Sequence, residues 1–252
     1  MPSPAALGPA IILVRPQLGV NIGTAARAML NSGLTDLRLV APREGWPNEH
    51  ATPAAAGAVA LLEQARVFPD VASATADLQR VYATTWRGRE LVKWIVTPRQ
   101  AAQELRGHAA EGTRCGVLFG PERTGLENED LAFAQAIVTV PLNPDFPSLN
   151  LAQAVLLVGY EWWLAADATP PRQLERNHSP PVTQGEFDNF MARLFQPLED
   201  CGFFHPPEKR EGMRQNLRAA FTRMEPTDQE LRTLHGAVKA LRFPRQRGGK
   251  GS

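Results

Sequence analysis

The chain has 252 residues, 43% of them apolar and 21% charged, with 27 Lys+Arg against 26 Asp+Glu and two cysteines. Such a chain is long enough for one good core plus an appendage, and Cys115 and Cys201, far apart and outside any C-x-x-C pair, exclude a multi-bridge secreted scaffold. The apolar run at residues 10–14 ends at Arg15, too short for a signal peptide or a membrane span, so a cytoplasmic protein without a membrane partner is expected.

In chain order, residues 11–14, 37–40, 81–84, 116–119 and 136–140 read as strands. Most are continuous apolar runs of the kind buried on both faces of a parallel sheet. Between them, 22–32 reads as a helix ending at Gly33, a left-handed C-terminal cap, and 98–110 as a helix with a proline in its first turn. The alternation predicts a doubly wound α/β domain. Residues 149–166 form the most apolar helix, with Ala152, Val155, Leu156, Gly159, Trp162 and Trp163 on more than one face. Such a helix is covered on both sides, either within the chain or by a second subunit.

Residues 167–182 carry four prolines and read as a linker. Two capping boxes follow, Thr183 with Glu186 and Thr227 with Glu230, each opening an apolar helical stripe. The helix at 209–224 lies between them, with Arg210, Arg214 and Arg218 on one face. The predicted domains are therefore 1–166 (α/β), 167–182 (linker), 183–243 (three helices) and 244–252, a basic, Gly-rich tail expected to be disordered.

The formal net charge of +1 argues at first sight against a nucleic-acid partner. Counted by region, residues 1–168 hold 13 basic and 16 acidic side chains, a balance of −3, and 169–252 hold 14 and 10, a balance of +4. The total is a cancellation between unlike parts.

Several chemistries are excluded by motif. No G-x-G-x-x-G follows the first strand. Gly120 to Gly125 has the glycine spacing of a P-loop, but Leu126 and Glu127 stand where Lys and Ser/Thr must meet phosphate and Mg²⁺. The five histidines form no H-x-x-x-H pair, there is no cysteine cluster, and no metal is expected. No G-x-S-x-G elbow is present.

Three loops stand out instead, each after a strand, where open α/β sheets bind ligands: Asn21 to Arg27, Gly120 to Leu126 and Asn143 to Asn150. Their small and polar residues would let backbone approach a ligand. Singly, each has an ordinary reading: Asn21 and Ser148 as helix caps, Gly23 as a turn residue, Arg27 as partner of a surface carboxylate.

Together, N-x-G-x-x-x-R in Asn21 to Arg27, F-G-x-E-x-x-G-L in Phe119 to Leu126 and S-L-N-x-A in Ser148 to Ala152 resemble the three motifs of the SpoU-type RNA ribose 2′-O-methyltransferases of the SPOUT superfamily. The resemblance spans about residues 10–166. The C-terminal extension, including residues 187–190 and 217–223, is similar to that of the TrmJ-type tRNA methyltransferases, which act at position 32 of the anticodon loop.

The resemblance implies a SPOUT fold: α/β, a mostly parallel sheet with a C-terminal trefoil knot, plus a small all-α extension. It also implies a homodimer, S-adenosylmethionine as cofactor and tRNA as substrate. On that reading Thr84, Thr85, Trp86, Gly120, Val140, Pro147, Ser148 and Leu149 line the cofactor pocket. Core packing is the alternative for Val140 and Leu149, and Trp86 stacks on adenine or covers the pocket edge. Arg27 stands at the reaction centre. The family's proposed base role fits a permanently protonated guanidinium poorly, so a clamp on phosphate and developing alkoxide is the alternative. Asn21 and Glu122 orient Arg27 and the loops, and Asn150 binds RNA or caps the long helix. Arg210, Arg214, Arg218 and Arg223 would track RNA phosphates, the alternative being a solvated helix face. Competing functions are a non-catalytic tRNA-binding relative, methylation of another RNA such as rRNA, and a nucleotide-binding α/β enzyme of another class.

Overall fold

Strands β1 (Ala10–Val14), β2 (Leu37–Val40), β3 (Arg66–Phe68), β4 (Arg80–Thr84), β5 (Trp94–Val96), β6 (Cys115–Phe119) and β7 (Ala136–Val138) form one sheet in the order β3-β2-β1-β6-β4-β7-β5. Every pairing in it is parallel. The computed structural model describes residues 8–85, 92–172 and 179–243. The five apolar runs are strands as predicted, the last ending at Val138, so that Val140 falls in the following loop. Short β3 and β5 are largely exposed and lack the apolar run that marks a buried strand.

The helices of this sheet are α1 (Gly19–Asn31), α2 (Ala51–Ala55), α3 (Val59–Glu63), α4 (Val71–Thr75), α5 (Pro98–Ala110), α6 (Asn128–Ala132) and α7 (Leu151–Leu164). Strand alternation divides the core. Ile11 and Leu13 of β1 point to the face covered by α1, α5 and α7, whereas Ile12 and Val14 point to the face covered by α4 and α6. Gly33 has φ +67° and ends α1 as predicted, and Pro98 opens α5. Two predicted starts move: α1 begins at Gly19 rather than 22, and α7 at Leu151 rather than 149. Among the described residues only one side of α7 is covered. Val155, Val158 and Trp162 are buried, while Leu156, Tyr160 and Trp163 are exposed.

Arg38 lies in the middle of β2 with its side chain 1% exposed. It is tolerated because Asp36, Asp77 and the Ala74 carbonyl take its guanidinium hydrogens at 2.5–3.4 Å.

The chain divides into two compact units, Met1–Thr169 and Pro170–Ser252. The second contains α8 (Gln184–Asp200), α9 (Arg210–Arg223) and α10 (Asp228–Arg242) around Phe187, Phe190, Met191 and Leu231. Thr183 and Thr227 form capping boxes with Glu186 and Glu230 as predicted. Pro180 and Val182, at the end of the predicted linker, are hydrogen-bonded to the turn before α10. The tail at 244–252 lies outside the described residues. Among the described residues no helix is long and apolar enough to cross a membrane.

Candidate functional site

A cavity opens at the carboxyl ends of β4, β6 and β7, where a parallel sheet presents its loops. Thr84 and Thr85 line it from β4, residues 119–125 from the loop after β6, and Val138, Val140, Leu142 and residues 147–149 from the loop after β7. The first turn of α7 closes it with Leu151 and Ala154. The walls are tied together by backbone and hydroxyl bonds. Thr84 Oγ1 donates to the Leu118 carbonyl at 3.0 Å and Thr139 Oγ1 to that of Thr85 at 2.9 Å.

The three sequence motifs meet beside this cavity in one line of hydrogen bonds. Asn21 Nδ2 donates to Glu122 Oε1 at 2.6 Å, and Asn150 Nδ2 donates to Asn21 Oδ1 at 3.2 Å. The second carboxylate oxygen of Glu122 accepts from the Gln17 backbone N–H at 3.0 Å. Asn150 also caps α7, its Oδ1 accepting from the Ala152 N–H at 2.8 Å. Asn21 is buried within the first turn of α1 and caps nothing, since Leu18 holds the N-cap position, and Ser148 lies two residues before the cap.

Of the eight predicted cofactor contacts, Thr84, Thr85, Gly120, Val140, Pro147, Ser148 and Leu149 line the cavity. Trp86 lies outside the described residues. Among the predicted reaction-centre residues, Glu122 lines the cavity and holds Asn21, which in turn holds Asn150. Arg27 is exposed on α1 and is not among the cavity's lining residues.

Two glycines of these loops are also required by packing. A Cβ on Gly23 would stand 2.1 Å from the Ala51 carbonyl oxygen, so this glycine permits α2 to lie against α1. A Cβ on Gly120 would stand 2.3 Å from the Leu126 nitrogen, so it permits the loop after β6 to fold back on itself.

Sequence reasoning missed a clamp beneath the site. Arg15 follows β1 with φ +46°, unusual for a residue with a side chain. Its guanidinium reaches Asp130 at 3.1 and 2.5 Å and Glu127 at 3.3 Å. The hydrogen bond that Arg15 donates to Asp130 outweighs burial and raises the Arg15 pKa further. Asp130 also accepts the Glu127 N–H at 2.9 Å, so Arg15 fixes the start of α6 just after the cavity loop. A single arginine after a strand carries no periodic signal that would have shown this.

In the second unit, Arg210 and Arg214 both reach Glu199, at 2.8 and 2.9 Å, and Arg218 reaches Asp188 at 2.5 Å. Arg214 lies over the Phe195 ring at 4.5 Å and Arg218 over that of Phe187 at 5.2 Å. Of the four predicted phosphate contacts, Arg223 alone has no ion pair among the described residues. Among those residues no group of His, Cys, Asp and Glu is arranged to hold a metal.

Comparison with known proteins shows the family of the chain. Residues 8–160 match the model of the SpoU rRNA Methylase family. The tRNA (cytidine/uridine/adenosine-2′-O-)-methyltransferase TrmJ of Pseudomonas aeruginosa is 35% identical over 90% of this chain and 91% of its own. The tRNA (cytidine/uridine-2′-O-)-methyltransferase TrmJ of Escherichia coli K12 is also 35% identical, over 92% of this chain and 94% of its own. The crystal structure of TrmJ from Z. mobilis ZM4 superposes with a TM-score of 0.83 at 51% identity, covering 92% of this chain and 98% of that one.

Proposed function

The chain belongs to the SpoU methylase family, and from that membership we propose that it transfers a methyl group from S-adenosylmethionine to a ribose 2′-hydroxyl of tRNA. The nucleotide is a cytidine or uridine, at position 32 of the anticodon loop, and the setting is the cytoplasm. The observation that carries the proposal is the line Glu122, Asn21, Asn150, which draws three distant motifs to one cavity at the carboxyl ends of a parallel sheet.

The cavity fits the donor. Its walls are Phe119, Val138, Val140, Leu142, Leu149 and Leu151, with hydroxyls of Thr84, Thr85 and Ser148 among them, which suits an uncharged adenosine. The charged residues of the lining are one carboxylate, Glu122, and one guanidinium, Arg123. When bound, the donor supplies an electrophilic methyl group on sulfur. The residues of the chain supply position: Glu122 and Asn21 fix the loops, and Asn150 anchors α7 against them, an arrangement that would hold a ribose hydroxyl beside the bound donor.

Arg27 stabilises the alkoxide that develops at the 2′-oxygen and grips the adjacent phosphate, the proton passing to phosphate or water. Because it stands outside the cavity of its own chain, the active molecule is a homodimer. The exposed face of α1 carries Val20, Arg27 and Leu30 at helical spacing, beside the exposed Leu156, Tyr160 and Trp163 of α7. A second copy covering this apolar face brings Arg27 into the interface.

The second unit holds the tRNA. Arg223 is open to phosphate, and Arg210, Arg214 and Arg218 reach it by exchanging Glu199 and Asp188 for the nucleic acid.

The test is incubation with labelled S-adenosylmethionine and total tRNA, and in parallel rRNA, followed by mapping of ribose methylation. Methylation of tRNA in the anticodon loop is the expected outcome. Incorporation confined to rRNA would move the target, and none, with donor binding intact by calorimetry, would leave a non-catalytic RNA-binding protein. In the same assay Arg27→Lys should lose at least about tenfold in kcat/KM, the size of one charged contact in the transition state. Near-normal turnover with unchanged RNA binding would remove the special role of its guanidinium.

A further inference from the structure

The loop between β7 and α7 makes an outward turn whose two feet stand in the cavity. Leu142 and Pro147 line it, while the four residues between them turn away, with the Phe146 N–H donating to the Asn143 carbonyl at 3.0 Å and the Asp145 N–H to Asn143 Oδ1 at 3.1 Å. At the end of this turn Phe146 is 72% exposed. Phe146 has no aromatic partner among the described residues, in contrast to Phe190, Phe195, Phe203, Phe204 and Phe221 of the second unit, which pair edge to face. Across the lining, the loop after β6 presents Arg123, exposed and without an ion pair among the described residues.

An exposed aromatic and a guanidinium without an ion pair among the described residues, on two loops of one cavity, match the chemistry of single-stranded nucleic acid, whose bases stack on aromatic faces and whose phosphates take cations. A peptide or a small metabolite needs neither feature in that pairing. Asp145, exposed beside Phe146, keeps phosphate on the Arg123 side of the opening.

We propose that Phe146 is the stacking platform for an unpaired RNA base at the mouth of the cavity, with Arg123 on the phosphate of the same strand. The proposal deepens the ribose-methylation reading and rests on it for the choice of RNA. Stacking is tolerant of base identity, because every base has an aromatic face. The contact therefore sets the requirement for an unpaired nucleotide rather than the choice between cytidine and uridine.

The experiment measures equilibrium binding of a fluorescein-labelled anticodon stem-loop RNA by polarisation, and RNA KM in the methyl-transfer assay, for wild type, Phe146→Ala, Phe146→Leu, Phe146→Trp and Arg123→Ala. Loss of one base stack weakens RNA binding by about 5- to 150-fold, so Phe146→Ala and Phe146→Leu should show that loss in Kd and in RNA KM. Phe146→Trp should bind within about threefold of wild type, and its indole emission should be quenched by RNA. Arg123→Ala should weaken binding and flatten its salt dependence by about one phosphate contact. Donor affinity, melting temperature and sedimentation are measured on every variant.

Wild-type RNA affinity in Phe146→Leu would overturn the stacking role, since leucine keeps the apolar area without the ring. A change of oligomeric state in Phe146→Ala would overturn it as well, by making the residue an interface contact. If wild type binds this RNA without methylating it, the function proposed above fails while the binding series still decides the role of Phe146. If wild type does not bind the RNA, both fail.

Discussion

The side-chain amide of Asn21 spans two hydrogen bonds at once, donating to Glu122 at 2.6 Å and accepting from Asn150 at 3.2 Å. One planar group, buried in the first turn of α1, thereby sets the distance between the loop after β6 and the start of α7. Removing it leaves a Glu122 carboxylate oxygen and the Asn150 amide without their partner.

Groups wired in series should not contribute independently. Asn21→Ala and Glu122→Ala are each expected to lower kcat/KM for RNA, and the double variant should lose less than the sum of the two, with a coupling of about 1–3 kcal/mol. A double-mutant cycle on kcat/KM, repeated on donor affinity by calorimetry, checks this. Additive losses would mean that the two side chains serve separate functions.

Gly23 has a packing role that a stability measurement can isolate. Gly23→Ala places a methyl group against the Ala51 carbonyl and should destabilise the first unit by about 1–3 kcal/mol as α2 shifts from α1. Gly236→Ala, in the middle of α10 where an added Cβ meets nothing, should stabilise by about 0.5–1 kcal/mol. Thermal melts of the two variants should thus move in opposite directions. A neutral Gly23→Ala would count against the packing role.

The buried Arg38 makes the first unit acid-sensitive. Burial alone would raise the pKa of Asp36, but hydrogen bonds from Arg38 and Arg66 bring it below the ordinary carboxylate value, and the hydrogen bond from Arg38 lowers that of Asp77. Carboxyls whose folded pKa is depressed add stability that is present above their unfolded pKa of about 4 and is lost as pH falls through the folded value. Melting temperature should therefore fall steeply below about pH 4. Arg38→Met should destabilise at neutral pH by about 3 kcal/mol, the low end for a broken buried pair, because both carboxylates keep contact with water. It should also flatten the acid limb, and a limb as steep as that of wild type would count against Arg38 as the cause.

The two cysteines should differ in reactivity. Burial pushes the Cys115 thiol up to about 11, whereas Cys201 is exposed at the end of α8. A thiol reagent at neutral pH should label one cysteine quickly and the second only on unfolding. Peptide mapping that finds Cys115 labelled in the native protein would contradict its burial in the core.

The strands and long helices were legible because their signals are local. Runs such as Ile11 to Val14 alternate into both halves of the core, and capping boxes such as Thr183 with Glu186 act over three residues. The short β3 and β5, with their exposed side chains, carry no such signal. At the site, residue types were legible and partners were not: Asn21 meets Glu122 across 101 positions and Asn150 across 129. Helical spacing placed the arginines of α9 on one face, but Glu199 and Asp188 come from another helix, beyond the reach of periodicity.

Those ion pairs bear on how binding of a polyanion would respond to ionic strength. The counterions released on binding are the cations condensed on the polyanion, and each pair must open before a phosphate can take the place of its carboxylate. Of the four arginines predicted to contact RNA, Arg223 would displace counterions at once. While the three pairs stay closed, the slope of log affinity against log salt contributed by this helix is about −0.7 to −0.9, the value for one phosphate, and each pair that opens onto phosphate adds as much again. Charge that sums to a basic unit along the chain is, in the folded helix, held largely in reserve.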